Sequence, residues 1–282
     1  MTDKMKNLAV RTLSGIVLAA VVLGAVVWSP WSFGVLLLLL LVGGMHEFYA
    51  LAEARGDRPQ RLIGMVTGAV LFAVNFAFLS GSAGAAGGLR PLLAAGMAFL
   101  LLLLPLMLVC ELYRRGENPA ANVGVTLLGI CYVALPLTLM AYIPFVGRYA
   151  WNPWTMLFFV FIIWANDVFA YLVGMALGRH RLFERLSPKK SWEGFFGGVA
   201  GALVMGYVAS RCMGEAWWVW IGLALVAAVT GVLGDLVESM FKRAAGVKDS
   251  GTIIPGHGGI LDRFDAMLLA APFVVVYLWF VL

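Results

Sequence analysis

The chain has 282 residues, of which 62% are hydrophobic and 12% are charged, and its mean hydropathy is +0.93. Soluble domains carry about 25% charged residues, so this composition excludes an ordinary water-soluble globular protein and indicates that lipid is part of the solvent. The three cysteines form no CxxC pair, which gives no sign of a thiolate metal site or a disulfide framework. The formal charge of +5 is modest, and we expect no nucleic-acid partner.

Nine apolar runs are long enough to cross a bilayer as helices, which takes about 20 residues each. In chain order we predict them at residues 10–28, 31–52, 61–80, 91–111, 121–143, 153–177, 192–210, 216–238 and 264–282. The predicted fold class is therefore all-α, a polytopic integral membrane protein with about nine transmembrane helices. The first run follows Lys4 and Lys6 but exceeds the apolar core of a secretory signal, about 7–15 residues, and is interpreted as a retained helix.

The distribution of basic residues orients these helices. With the N-terminus in the cytoplasm, 17 of the 20 Lys and Arg residues lie on the inner side, and only Arg90, Arg148 and Arg211 lie outside. Because basic residues accumulate on the cytoplasmic side, we predict a cytoplasmic N-terminus. The functional division we predict is 1–150, about five N-terminal helices, and 151–282, a catalytic region of about four helices with two cytoplasmic loops.

The first polar pair inside a predicted span that points to function is Asn166-Asp167, in the sixth span. An ionisable group at membrane depth indicates a functional site by default, although a hydrogen-bonded packing role stays open. His46 and Glu47, near the end of the second span, are less informative and are set aside.

A second cluster, Ser187-Pro188-Lys189-Lys190-Ser191-Trp192-Glu193-Gly194, leads into the seventh span. Its Lys-Ser pair resembles the end of a P-loop, but the preceding glycines are absent, so it fails as a Walker A motif. Ser191 is suited to cap the helix and Glu193 to complement its dipole. Lys189 and Lys190, beside the free backbone donors of the helix start, also form an anion site. The capping role and the anion-binding role are compatible with each other.

The densest polar segment connects the eighth and ninth spans. Asp235 and Glu238 share one helical face at i, i+3, and Asp262 and Asp265 repeat that spacing. Carboxylates at a membrane boundary need a compensating charge, and a hard cation such as Mg²⁺ suits oxygen ligands when phosphates complete its shell. Structural roles stay open: Glu238 pairing with Lys242 at i, i+4, and Asp262 capping the ninth helix.

Between these acidic pairs lie Lys242, Arg243 and Lys248, then Pro255-Gly256-His257-Gly258-Gly259. Glycines let backbone N–H groups approach an anion, and nearby cations neutralise its charge. We therefore predict that this loop binds phosphate, with His257 contacting phosphate rather than metal. A role for Lys242 and Arg243 as membrane anchors stays open.

The motifs in this segment are Ser239-x-x-Lys242-Arg243, Lys248-Asp249 and His257-Gly258-Gly259-x-x-Asp262-Arg263-x-Asp265. Upstream stand Asp167-x-x-Ala170-Tyr171-x-x-Gly174-x-x-x-Gly178 and the Ser187–Gly194 cluster. Together they resemble the phosphatidate cytidylyltransferases, also called CDP-diacylglycerol synthases. The motifs cover about the last 115 residues, whereas the first 150 match only as a basic N-terminus followed by apolar helices.

The resemblance implies that the cytidylyl group of CTP is transferred to phosphatidic acid in phospholipid biosynthesis, giving CDP-diacylglycerol and pyrophosphate. It implies Mg²⁺ on Asp235 and Asp262, with room for a second cation. The implied catalytic set is Asp235, Asp262, Lys248, Arg263 and Asp265. The implied substrate-binding set is Asn166, Asp167, Ser187, Lys189, Lys190, Ser239, Lys242, Arg243, Asp249, His257, Gly258 and Gly259. Within these sets, we expect Asp249 and Asp265 to orient the cationic side chains rather than to bind metal.

Two alternatives remain open: a CTP-dependent kinase for a lipid alcohol such as a polyprenol, and a transporter of an anionic lipid. A CDP-alcohol phosphotransferase or a prenyltransferase is disfavoured, because the chain lacks a DGxxAR-type run and repeated aspartates. The expected partners are CTP, phosphatidic acid and the bilayer, and glycines at small-xxx-small spacing permit a homodimer. We expect a multi-pass protein of the cell membrane with its active site on the cytoplasmic face.

Overall fold

The computed structural model describes the backbone of residues 3–79, 86–114, 116–146 and 151–282. It describes the side chains of residues 11–79, 95–114, 116–146 and 151–282. The predicted orientation depends in part on Lys4, Lys6, Arg90, Arg115 and Arg148, which lie outside the described side chains. The described chain is almost entirely helical, as predicted.

The N-terminal helices are long and apolar, since each must satisfy its backbone hydrogen bonds internally within lipid. They are α1 (Asp3–Trp28), α2 (Pro30–Ala54), α3 (Arg61–Leu79), α4 (Ala86–Arg114), α5 (Pro119–Gly129) and α6 (Leu135–Met140). A π-helical turn, Ile130–Ala134, joins α5 to α6 without a break, so that both belong to a single membrane span, Pro119–Phe145.

The C-terminal elements follow a short 3₁₀ turn at Ile143–Phe145. They are α7 (Pro153–Leu177), β1 (Arg181–Phe183), β2 (Ser187–Ser191), α8 (Trp192–Met213), α9 (Trp217–Ala244) and α10 (Leu261–Val281). Leu177 and Trp192 thus bracket a two-stranded antiparallel hairpin, a departure from helix that the sequence analysis did not predict.

Nine helical segments among the described residues are long and apolar enough to cross a membrane, which confirms the predicted number of spans. Beside the polar segment the predicted spans are too short, because α9 continues to Ala244 rather than residue 238 and α10 already begins at Leu261 rather than residue 264. Asp262 therefore lies in the first turn of α10, so the alternative that it caps this helix is wrong. These helix ends were not predicted because they contain polar and charged residues, which end an apolar run although the helix continues.

The chain forms two compact units. The first comprises Met1–Ala141 with Ala244–Arg263, and the second comprises Tyr142–Arg243 with Phe264–Leu282. The functional division predicted at residue 150 is a different kind of boundary and stays a prediction. In the first unit, α2 is central, and its buried Tyr49 donates a hydrogen bond of 2.9 Å to the Thr126 carbonyl.

In the second unit, α7 packs closely against α8 through glycines. A Cβ atom added at Gly194 would lie 2.8 Å from the Ala170 carbonyl oxygen and 3.2 Å from the Gly174 Cα atom. One added at Gly198 would lie 2.8 Å from the Asn166 carbonyl oxygen. Small residues at this spacing let two helix backbones approach, and Gly194 also lines the cavity described next.

Candidate active site

A cavity of about 390 Å³ lies in the second unit, among α7, α8, the hairpin and α9. Its lining combines apolar residues with charged side chains of both signs. The residues lining it are Asn166, Asp167, Ala170, Tyr171, Gly174, Met175, Leu182, Lys189, Lys190, Ser191, Gly194, Phe195, Val232 and Asp235. A cavity with an apolar body and a few convergent charges is the usual form of a small-ligand site.

Asn166 and Asp167 reach this cavity from within α7, so the predicted position inside the sixth span is confirmed. Asn166 is buried, with 1% of its surface exposed. Its amide oxygen packs against α8, where a Cβ atom at Gly198 would lie 2.7 Å away. Asp167 borders the cavity with an exposed side chain, and is therefore available to a ligand.

The hairpin brings Lys189 and Lys190 to the same cavity. Lys190 forms an ion pair with Asp235, which α9 supplies from the other side. The end of β2 is fixed because Ser191 caps α8, accepting a hydrogen bond of 3.1 Å from the Gly194 amide. The predicted cap is thus confirmed.

Glu193 anchors the other end of the hairpin. Its carboxylate accepts hydrogen bonds from the backbone amides of Arg179 and His180, at 3.1 Å and 3.2 Å, and lies 2.6 Å from His180 Nδ1. Its position in the first turn of α8 also places negative charge where the helix dipole favours it. The Ser191 cap and these contacts of Glu193 thus connect both ends of the segment that carries Lys189 and Lys190 to the start of α8.

Three carboxylates gather next to the cavity: Asp235, Glu238 and Asp265. One oxygen of each lies within 4.8 Å of the others, a spacing at which a single cation can contact all three. Ser239 Oγ donates to Asp235 at 3.3 Å. Asp265, which the sequence analysis assigned to orienting cations, therefore joins the group of potential metal ligands.

Two of these carboxylates form ion pairs with lysines. Glu238 pairs with Lys242 in the i, i+4 arrangement that the sequence analysis left open, and Asp235 pairs with Lys190. The residues fit a hard divalent cation, whose remaining coordination positions phosphate oxygens would fill.

The glycine-rich loop belongs to the first unit and is held by its own hydrogen bonds. The Ile254 amide donates to the Gly258 carbonyl at 2.9 Å, and the His257 amide donates to the Ile254 carbonyl at 2.9 Å. Gly256 and Gly258 have φ angles of +74° and +83°, in the region that disfavours other residues. These two positions explain why the loop needs glycine.

Asp262 closes this loop from the start of α10. Its Oδ2 atom accepts hydrogen bonds from the Ser250 amide at 2.8 Å, the Ser250 hydroxyl at 3.0 Å and the Gly259 amide at 2.8 Å. These contacts give Asp262 a role in shaping the loop. The predicted metal pair Asp235 and Asp262 stays a prediction.

His257 is held from two directions. Ser14 Oγ lies 2.8 Å from its Nδ1 atom, and Arg263 Nε donates to its carbonyl oxygen at 2.9 Å. Burial lowers the pKa of His257 below its ordinary value, and the nearby Arg263 and Arg11 lower it further. The imidazole is therefore neutral at pH 7, which suits a hydrogen-bonding role better than an electrostatic one.

The other predicted residues are divided between the two units. Lys248, Asp249 and Arg263 are exposed in the first unit, beside the glycine-rich loop. Ser187 and Arg243 belong to the second unit, where Ser187 begins β2 and Arg243 is exposed near the end of α9. The functional roles predicted for these five residues stay predictions.

Sequence reasoning missed Glu47. This residue of α2 is 2% exposed, and its carboxylate accepts hydrogen bonds from the Ser250 hydroxyl and from the backbone amides of Ile260 and Leu261 at the start of α10. The signal that could have found it is the one that identified Asp167, an ionisable residue inside an apolar span.

Comparison with known proteins agrees with the motifs. Residues 9–281 match the model of the cytidylyltransferase family. A protein of Brucella abortus biovar 1 (strain 9-941) named phosphatidate cytidylyltransferase is 34% identical over 97% of this chain and 94% of its own length. A protein of the same name from Synechocystis is 32% identical over 95% of both chains. Another, from Staphylococcus aureus (strain COL), is 45% identical over 44% of this chain and 48% of its own length.

Proposed function

The chain belongs to the cytidylyltransferase family, and we propose that it transfers the cytidylyl group of CTP to phosphatidic acid, giving CDP-diacylglycerol and pyrophosphate. The observation that carries the proposal is the similarity to phosphatidate cytidylyltransferases over 97% of the chain. The cavity supports it, since it combines the two lysines of the hairpin with an adjoining group of three carboxylates.

The reaction needs no protein nucleophile. A phosphate oxygen of the lipid forms a bond to the α-phosphorus of CTP, and the bond from that phosphorus to the oxygen bridging to the β-phosphate breaks, releasing pyrophosphate. Catalysis then consists of positioning the two anions and offsetting their charge. Lys189 and Lys190 perform this at the cavity, and Lys190 is already oriented by Asp235.

We assign Mg²⁺ to the carboxylates of Asp235, Glu238 and Asp265, whose spacing suits one cation. Bound there, it would draw the nucleotide phosphates together and offset the charge of the leaving pyrophosphate. Asp262 and a second cation remain part of the proposal on the sequence pattern alone. Lys242 forms an ion pair with Glu238, one of the three carboxylates.

The glycine-rich loop supplies a second set of phosphate-binding groups in this proposal. Lys248 and Arg263 are exposed, long cationic side chains, and Gly258 and Gly259 allow the backbone to approach an anion. His257, neutral at pH 7, donates a hydrogen bond rather than charge. Because the lipid nucleophile is already anionic at neutral pH, we assign no general base.

The test is a product assay on the detergent-purified protein with Mg²⁺, phosphatidic acid and CTP labelled separately at the α and γ phosphates. We expect the α label in the lipid and the γ label in released pyrophosphate. Transfer of the γ label to lipid, tested also with a polyprenol acceptor, would instead establish the kinase. No movement of either label would reject catalysis and leave transport of an anionic lipid as the function to test.

The setting of the enzyme follows from the same proposal. We propose that it acts in the cell membrane with a cytoplasmic N-terminus and a cytoplasmic active site, because the basic residues concentrate on that side. We also propose that it binds no nucleic acid and that its glycine-lined helices permit a homodimer. Accessibility of single cysteines introduced at residues 185 and 215 tests the orientation, since the hairpin must be labelled from the cytoplasm and the α8–α9 turn from outside.

A further inference from the structure

Glu47 is a buried carboxylate in the apolar helix α2, 2% exposed, whose described partners are neutral hydrogen-bond donors. Its Oε1 accepts from the Ile260 amide at 2.9 Å, and its Oε2 accepts from the Leu261 amide at 2.9 Å. These amides are at the start of α10, where backbone N–H groups lack partners within the helix. A carboxylate is bound well there, because the bonds are charge-assisted and the helix dipole adds to them.

The backbone around Glu47 is shaped to admit its side chain. A Cβ atom added at Gly251 would lie 2.5 Å from Glu47 Oε1, and one added at Gly259 would lie 2.6 Å from Glu47 Cδ. Neither distance is compatible with a larger residue. The glycines on both sides of the loop therefore leave room for this carboxylate, in addition to any role toward a ligand.

The hydroxyl group of Ser250 connects Glu47 to Asp262. Its oxygen lies 3.0 Å from Glu47 Oε2 and 3.0 Å from Asp262 Oδ2. A hydroxyl carries a single proton, so the two carboxylates share one donor. Asp262 in turn accepts the Ser250 and Gly259 amides. Glu47, Ser250 and Asp262 thus form a single network that closes residues 250–262 into one conformation.

We propose that Glu47 is a positioning residue for the reaction, fixing the conformation of the glycine-rich loop and of Asp262 without contacting the substrates. The loop contains the groups assigned to phosphate binding, so the inference rests on the proposed function. Residues that orient a binding site through such contacts typically change activity by about tenfold to hundredfold when replaced.

The test compares Glu47→Gln with Glu53→Gln, a matched control on the same helix. Glu53 is 43% exposed at its side chain and pairs with Arg61. In Glu47→Gln the side-chain NH₂ group would face the Ser250, Ile260 and Leu261 donors. At least one of their hydrogen bonds would be lost, and the loop would become more mobile. We expect kcat/KM for CTP to fall about tenfold to hundredfold in Glu47→Gln. Glu53→Gln should match the unmodified enzyme.

Hydrogen exchange separates positioning from general damage and does not depend on activity. In Glu47→Gln we expect the amides of residues 250–262 to exchange about tenfold faster, with unchanged exchange in the 178–191 hairpin. Acceleration throughout the chain, or kcat/KM for CTP within about twofold of Glu53→Gln, would overturn the proposal.

A second variant, Ser250→Ala, keeps the proposal testable if Glu47→Gln does not fold. It removes the shared hydroxyl and leaves both carboxylates bound to backbone amides. We expect the same local exchange and a loss of about tenfold in kcat/KM for CTP, and unchanged values for both would overturn the inference. If the unmodified enzyme itself transfers no cytidylyl group, the proposed function fails, whereas the exchange measurement still decides whether Glu47 holds the loop.

Discussion

Replacing Lys190 tests the cavity most directly. Lys190 stands at the end of β2 and forms an ion pair with Asp235 of α9, inside the wall of the cavity. In Lys190→Ala the cavity loses one of its two lysines, and Asp235 loses its compensating charge. Both changes make the site more repellent to a triphosphate.

The size of the effect follows from the contact that is lost. A hydrogen bond between charged groups contributes about 1.5–3 kcal/mol. Because each 1.36 kcal/mol changes a rate tenfold, kcat/KM for CTP should fall by a factor of about 10 to 160. The Lys190 and Asp235 side chains are 26% and 38% exposed, so solvent screens their ion pair. Its loss should therefore cost at most about 1 kcal/mol of stability.

The assay measures transfer of the α label from CTP to lipid over a range of CTP concentrations. Arg185→Ala is the matched control, because Arg185 is an exposed cation of the same hairpin that does not line the cavity. Lys190→Arg keeps the charge and should recover part of the activity. A Lys190→Ala enzyme whose kcat/KM for CTP stays within about twofold of Arg185→Ala would refute the assignment of this cavity to the nucleotide.

Three further predictions concern the carboxylates and the loop. Asp235→Asn should weaken the apparent affinity for Mg²⁺ by at least about tenfold in a metal titration of activity, and unchanged Mg²⁺ dependence would contradict the metal assignment. Gly258→Ala, at φ +83° with an added Cβ atom 2.6 Å from Asp262 Oδ2, should lose more activity and stability than the control Gly246→Ala, at φ +70° with open space around it. His257 has a lowered pKa, so unfolding should become easier as the pH falls below about 6.5, where the unfolded chain takes up the proton first. Thermal unfolding at pH 5.5 and 7.5 should show a smaller loss for His257→Gln, and an equal loss would contradict this reasoning.

The membrane helices could be predicted from the sequence because length and hydropathy decide them. A segment of about 20 apolar residues has few alternatives to a transmembrane helix. The sequence predicted the start of α10 less accurately, since Asp262 is compatible with both a loop and a first helical turn. Local patterns also indicated the Ser191 cap and the ion pair of Glu238 with Lys242. In each case the two partners are only three or four residues apart along the chain.

The contacts that are distant in sequence could not be predicted in this way. Lys190 and Asp235 belong to different motifs, and no periodicity says that they meet. The same is true of Glu47 and Ser250, which are 203 residues apart. The hairpin was missed because its two strands have 3 and 5 residues, too short for an alternating pattern to be recognised.

The partners of these carboxylates distinguish two kinds of site in this protein. The Glu47 carboxylate is bound by two backbone amides and a hydroxyl, donors that belong to the loop and to the start of α10. Asp235 and Glu238 are instead balanced by the ammonium groups of Lys190 and Lys242, on long and flexible stems. Such a cation can turn away toward a phosphate when a metal ion takes its place. Carboxylates that pair with flexible lysines are therefore suited to a reaction in which a metal ion and phosphate groups both arrive. A carboxylate bound by backbone amides is suited instead to hold its own loop in one conformation.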